Sequence, residues 1–122
     1  MATNVLGRLI QLMQHPNVSI AVPCLRVVGN IVTGDDDQTQ LAIERGVLTA
    51  MNDLIYNKKK AVRKEVCWSV SNITAGSIDQ IQQCLDIGII DKLINLLNND
   101  EIDVKKEAVW AVSNCTAGAT FV

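Results

Sequence analysis

Glu65, Trp68 and Asn72 stand three and four residues apart, and Glu107, Trp110 and Asn114 reproduce them 42 positions on (68 to 110, 72 to 114). An asparagine amide offers two N–H donors and one carbonyl acceptor, so it can hydrogen-bond the main chain of an extended peptide. A tryptophan face attracts a Lys or Arg head group, worth roughly 0.5–2 kcal/mol, while the ring packs against the aliphatic stem. A carboxylate one turn before each tryptophan would meet the charged end. An earlier register holds Asn30 and Gly34, but Arg26 stands where tryptophan would fall. This constellation has no nucleophile–base pair and nothing to activate water, so it points to binding of extended, basic peptide and not to an enzyme. Packing between repeats would preserve the same residues. Asparagine is a mediocre residue in mid-helix, however, and its recurrence beside tryptophan favours the binding role.

These residues need a repeating scaffold, and the chain supplies one. Helices of about ten residues open at Val5, Val47 and Ile89 and run to polar breaks at His15-Pro16-Asn17, Asn57 to Lys60 and Asn98-Asn99-Asp100. Longer helices follow over roughly 18–33, 61–75 and 102–117, each ending at a glycine (Gly34, Gly76, Gly118) that suits a left-handed cap. Short amphipathic segments, 36–45 and 78–87, are closed by Gly46 and Gly88. Three-helix units of about 42 residues define an all-α, right-handed α-solenoid of the HEAT or armadillo kind, about 2.7 repeats long. The expected division is a partial repeat plus the next short helix (1–46), a repeat (47–88) and a truncated repeat (89–122). At about 100° per residue, Val62, Val66, Val70 and Ile73 form the buried stripe of the middle long helix. Trp68, Asn72 and Glu65 lie on a second stripe, off the core.

Composition agrees with this scaffold. Hydrophobic residues make up 48% of the chain and aromatics only 3%, so the core must be aliphatic. Eleven basic and 13 acidic side chains leave a formal charge of −2, which disfavours nucleic acid as a partner. Cys24, Cys67, Cys84 and Cys115 form no C-x-x-C pair, and His15 is the lone histidine, so neither a metal site nor a cofactor is expected. Buried reduced thiols are the better reading. No apolar run approaches the ~18 residues of a membrane span, and a membrane partner is not expected.

At the long helices a resemblance becomes specific. Lys64-Glu65-Val66-Cys67-Trp68-Ser69-Val70-Ser71-Asn72-Ile73-Thr74-Ala75-Gly76 and Lys106-Glu107-Ala108-Val109-Trp110-Ala111-Val112-Ser113-Asn114 resemble the third helices of importin-α armadillo repeats. Leu25-Arg26-Val27-Val28-Gly29-Asn30-Ile31-Val32-Thr33-Gly34, with arginine replacing tryptophan, resembles the sixth repeat, which opens the family's minor binding site. The seventh and eighth repeats match 47–76 and 89–118. The resemblance implies an adaptor for nuclear localisation signals in cytoplasm and nucleus. A peptide lysine would lie against the Val32 carbonyl with Gly34, Thr39 and Asn72 around it. An adjacent arginine would lie between Trp68 and Trp110, near Ser71 and Glu107. Asn30, Asn72 and Asn114 would clamp the peptide backbone, antiparallel to the repeats, and Arg26 would pair with a neighbouring carboxylate. Ala61 departs from the family's usual polar residue, which implies one lost peripheral contact.

Nothing in the chain matches the family's importin-β-binding segment, so a fragment is expected. Met1 to Asn4 would lie just before a second helix and Ala119 to Val122 just inside the next repeat, leaving apolar faces that favour homo-oligomers. The alternatives are a self-associating structural fragment with its groove occluded and a scaffold for non-basic protein partners. Lys58-Lys59-Lys60 with Arg63-Lys64 reads as a solvated loop and helix start, Asp35-Asp36-Asp37 as the cap of the next short helix, and Gly29 as an aid to close helix packing.

Overall fold

A computed structural model describes residues 3–119, with side chains from 5 to 117. Among the described residues there are eight helices and no strand: α1 Thr3–Leu12, α2 Val18–Ile31, α3 Asp36–Glu44, α4 Val47–Leu54, α5 Lys60–Thr74, α6 Ile78–Ile87, α7 Ile89–Asn99 and α8 Ile102–Ala119. The expected order of helices holds throughout, with ends displaced by one or two residues at most positions. The readings placed on Met1 and Ala2, and on Thr120 to Val122, lie outside the described residues.

Local chemistry sets most helix starts. Asn17 accepts the Ser19 N–H at 3.0 Å to cap α2, and Asp35 accepts the Gln38 N–H at 2.8 Å to cap α3, as the acidic triplet predicts. Ser77 and Gln80 satisfy each other's backbone N–H groups in a capping box at the start of α6. Gly46 and Gly88 have φ of 97° and 84°, a left-handed conformation that lets the chain turn from α3 into α4 across Arg45 and Gly46, and from α6 into α7 across Gly88 alone.

The long helices end differently from the expectation. Gly34 and Gly76 are not left-handed, and α8 continues through Gly118 to Ala119. At Gly34 and Gly76 the need is space: a Cβ would lie 2.0 Å from Gln38 Oε1 and 2.1 Å from Gln80 Oε1. Glycine there admits the glutamine that folds back over the helix start.

Helices α2, α5 and α8 lie side by side, with α5 packed between the other two, and α1, α4 and α7 back them. Val66, Val70 and Ile73 of α5 are fully buried and Val62 nearly so, as the stripe predicts. The core is one continuous aliphatic cluster that runs from Leu6 to Cys115. Trp68 is half-buried, and Trp110 and Tyr56 are exposed. Cys67, Cys84 and Cys115 are buried thiols, and Cys24 is half-buried. Among the described residues no helix is long and apolar enough to cross a membrane, and no group of three metal-ligating side chains assembles.

Polar ties join the repeats at separations near one period. The strongest is at Arg63, whose Nε and Nη2 donate to the two Asp100 carboxylate oxygens at 2.8 and 3.1 Å, while Nη1 donates to the Asn57 and Lys58 carbonyls at 2.9 and 3.0 Å. Arg63 is therefore a tie between α5 and the α7–α8 turn, which corrects its reading as part of a solvated basic run. Lys60 reaches Asp103 at 3.4 Å, so it too is engaged, at the surface.

Candidate peptide-binding face

The exposed edge of the α2–α5–α8 layer carries the Trp–Asn register. On α5, Trp68 and Asn72 point back to α2. The Thr33 N–H bonds to the Asn30 carbonyl at 3.2 Å, which frees the Gly29 carbonyl, and Asn72 Nδ2 donates to it at 3.1 Å. One period on, Asn114 Nδ2 donates to the Ser71 carbonyl at 2.9 Å. Gly29 and Ser71 are themselves 42 residues apart, so each asparagine binds the same position of the preceding long helix. Asn72 thus holds the layer together with one amide N–H and keeps the other N–H and the carbonyl for a further partner, while Asn114 Nδ2 also reaches the Thr74 hydroxyl at 3.5 Å and keeps its amide carbonyl. Asn30 is exposed.

Two cavities lie along this edge. Val32, Gly34, Thr39 and Asn72, the four residues assigned to a peptide lysine, line one cavity of about 210 Å³ with Thr33, Asp36, Ala75 and Gly76. Thr39 is buried, and its hydroxyl lies 3.1 Å from the Val32 carbonyl and 3.2 Å from that of Asp35, within donating distance of both. It holds the strand of chain between α2 and α3 that forms the cavity wall. Gln80, also buried, fixes the same wall from the next repeat: Nε2 donates to the Asp36 carbonyl at 3.2 Å.

The second cavity, about 290 Å³, is lined by Arg26, Asn30, Lys64, Glu65, Trp68 and Glu107. Arg26 pairs with Glu65, the neighbouring carboxylate the sequence calls for, and that hydrogen bond together with the Glu65 charge holds the guanidinium above its ordinary pKa. With Glu65 engaged, Glu107 is the carboxylate among these residues that makes no ion pair within the described residues. Trp110 lines neither cavity. It is 64% exposed and borders a more open groove of about 530 Å³ with Leu97, Ile102, Lys105, Lys106, Glu107 and Val109. Glu107 lines both spaces. Ser71 is buried, with its hydroxyl donated to the Trp68 carbonyl at 2.5 Å.

The arrangement offers ring faces, amides, carbonyls and two carboxylates without an ion pair among the described residues, Asp36 and Glu107, all of which suit a basic extended chain. The sequence also matches known proteins. The family model for the armadillo/beta-catenin-like repeat matches residues 77–117. The chain is an armadillo-repeat solenoid, similar in sequence to importin-α. Importin subunit alpha-1b of Oryza sativa subsp. japonica is 50% identical over 68 residues, covering 55% of this chain and 13% of the relative. Importin subunit alpha-3 of Arabidopsis thaliana is 50% identical over 65 residues, covering 52% and 12%. The chain thus spans about an eighth of these relatives over the matched residues. Among solved structures, a designed armadillo repeat protein in complex with the peptide (KR)4 superposes with a TM-score of 0.86 at 32% identity, covering 91% of this chain and 46% of that one. An engineered protein superposes with a TM-score of 0.88 at 29% identity, covering 94% and 48%.

Sequence reasoning missed what two residues do, Gln80 at the cavity wall and Arg63 in the scaffold behind it, and left the contact of a third open. Gln80 and Arg63 act through partners 44 and 37 residues away, which no local pattern marks. Gly29 did carry a signal, a glycine inside a helix, but not the identity of what rests on it.

Proposed function

We propose that this chain is the peptide-receiving part of a nuclear-import adaptor, binding basic nuclear localisation signals as extended peptide across α2, α5 and α8. The observation that carries the reading is the gathering of Val32, Gly34, Thr39 and Asn72 in one cavity beside a second lined by Asn30, Trp68 and Glu107. Packed helices lie ~8–10 Å apart and an extended chain rises ~3.3 Å per residue, so one repeat spans about two to three peptide residues. In this reading a lysine enters the first cavity, with its ammonium near the Val32 carbonyl and Asp36. An arginine lies by Trp68 with Glu107 facing its charge, and Trp110 closes over it from the far side. The peptide runs antiparallel to the repeats, and its main chain bonds the free N–H of the Asn72 amide and the amide carbonyls of Asn72 and Asn114. The similarity to importin-α subunits and to a designed protein that binds (KR)4 supports this class of ligand. In a longer parent protein, the same reading implies shuttling between cytoplasm and nucleus.

A titration of fluorescent (KR)4 peptide into the chain tests it, with an alternating Asp–Glu octapeptide as control. Micromolar or tighter binding of (KR)4 alone is expected. Trp68→Ala should weaken it by about twofold to thirtyfold, the range of one cation–π contact. Absence of (KR)4 binding at any concentration at which the protein stays folded would refute the reading. A second reading has its own observation: the Asn72 and Asn114 amides already bond the preceding helix. If the Trp–Asn register serves packing alone, Asn72→Ala lowers stability and leaves (KR)4 affinity unchanged.

A further inference from the structure

Both members of the Trp68–Asn72 pair meet the same residue of α2. Asn72 Nδ2 donates to the Gly29 carbonyl at 3.1 Å. A Cβ built on Gly29 would lie 2.4 Å from Trp68 Cζ3, 2.9 Å from Cε3 and 2.7 Å from Ser69 Oγ. Carbon atoms in ordinary contact are about 3.5–4.0 Å apart. The six-membered ring of the indole is therefore seated on the bare backbone of α2, in space that any other residue's side chain would fill. Glycine costs helix stability relative to alanine, and its φ here is not in the left-handed region, so conformation does not call for it. Contact does.

We propose that Gly29 is a positioning residue for peptide recognition: its missing side chain seats the Trp68 indole against α2 and so sets the width of the cavity between Arg26 and Glu107. The proposal rests on the peptide-binding reading above. Adding one methyl forces the ring outward by about 1 Å or more to reach an ordinary contact distance. The ring can yield into the 290 Å³ cavity, which is open and lined by Arg26, Asn30, Lys64, Glu65 and Glu107 beside Trp68 itself. Such a shift narrows the space a basic side chain would enter and tilts the face that would receive it. At the register-equivalent position one repeat on stands Ser71, so the glycine seat belongs to Trp68 and is not repeated beneath Trp110. Ser69 Oγ is the other obstacle. It is buried with no hydrogen-bond partner, so Ser69→Ala removes it without breaking a bond.

The test is a double-mutant cycle on the full chain with the (KR)4 peptide, made in a Ser69→Ala background so that only the indole contact opposes the new methyl. Gly29→Ala is expected to weaken (KR)4 binding by about twofold to thirtyfold, the range of one cation–π contact. In a further Trp68→Ala background the same substitution should change affinity less than twofold, because the ring it displaces is gone. The peptide-free protein supplies an independent readout: Gly29→Ala shifts the indole N–H resonance of Trp68, identified by its loss in Trp68→Phe, and leaves that of Trp110 in place. An equal loss of affinity in both backgrounds overturns the proposal, because Gly29 would then act through helix packing and not through Trp68. So does an unmoved Trp68 resonance with full affinity. Failure of the unsubstituted chain to bind (KR)4 overturns the peptide-binding reading and the recognition role with it. The resonance shift then reports separately whether the seat exists.

Discussion

Replacing Arg63 by alanine removes four hydrogen bonds: two to the Asp100 carboxylate at 2.8 and 3.1 Å and two to the carbonyls of Asn57 and Lys58 at 2.9 and 3.0 Å. The Arg63 side chain is 17% exposed and that of Asp100 only 6% exposed, so the carboxylate would be left buried without its cation. Removing one partner of a buried pair costs about 3–5 kcal/mol. Asp100 keeps the Glu101 N–H at 2.7 Å, and water can enter the vacated channel, so about 2–3.5 kcal/mol is expected. Urea unfolding at pH 7 measures this, and the double substitution Arg63→Ala with Asp100→Asn should cost clearly less than the two single losses added together. Acid supplies a second arm. Burial by itself would raise the Asp100 carboxyl, but the Arg63 hydrogen bonds, the Glu101 N–H and the charges of Arg63 and Lys60 outweigh it and bring it below its ordinary 3.8. A carboxylate depressed in the fold stabilises fully above its unfolded pKa, and that contribution is lost as pH falls through the folded value. The stability advantage of the unsubstituted chain over Asp100→Asn should therefore be full near pH 6 and shrink below about pH 3.8. A loss under about 0.5 kcal/mol for Arg63→Ala, the range of an exposed ion pair, would refute the reasoning.

Other substitutions separate conformation from contact. Gly46→Ala and Gly88→Ala meet no atom within 4 Å but sit at φ of 97° and 84°, so each should cost about 1–2 kcal/mol in urea unfolding from backbone strain alone. Gly7→Ala, also in open space and inside α1, should instead stabilise by roughly 0.5–1 kcal/mol. Asn114→Ala loses the 2.9 Å bond to the Ser71 carbonyl and should cost about 1 kcal/mol, whereas Asn30→Ala at an exposed position should stay within about 0.5 kcal/mol. Burial pushes the Cys67 and Cys84 thiols up to about 12, with added carboxylate charges from Asp100 and Glu107 at Cys67, and it raises Cys115 as well. A thiol titration at pH 8 should accordingly find about one fast-reacting cysteine, Cys24, in the native chain and all four after unfolding. Three fast thiols in the native protein would contradict the buried assignment.

The amino-acid sequence by itself determined the helices, their order and the buried stripe, because these follow from spacing within a few residues. A Val at every fourth position, an Asp before a helix or a glycine between two helices acts on its own turn of chain. It also determined the period, and with it the repeated Trp–Asn position off the core. What it did not determine was the partner of each repeated side chain. The amide of Asn72 reaches the Gly29 carbonyl 43 residues back, Arg26 reaches Glu65 39 residues on, and Arg63 reaches Asp100 37 residues on. Such pairs exist only once helices approach at a particular distance and rotation, which depends on every residue in the interface together. The glycines show the difference most plainly. Gly34 and Gly76 look like left-handed caps by position, yet tertiary structure uses them as space for Gln38 and Gln80. Gly29 reads in the sequence as an aid to close helix packing, and tertiary structure makes it the surface on which Trp68 lies.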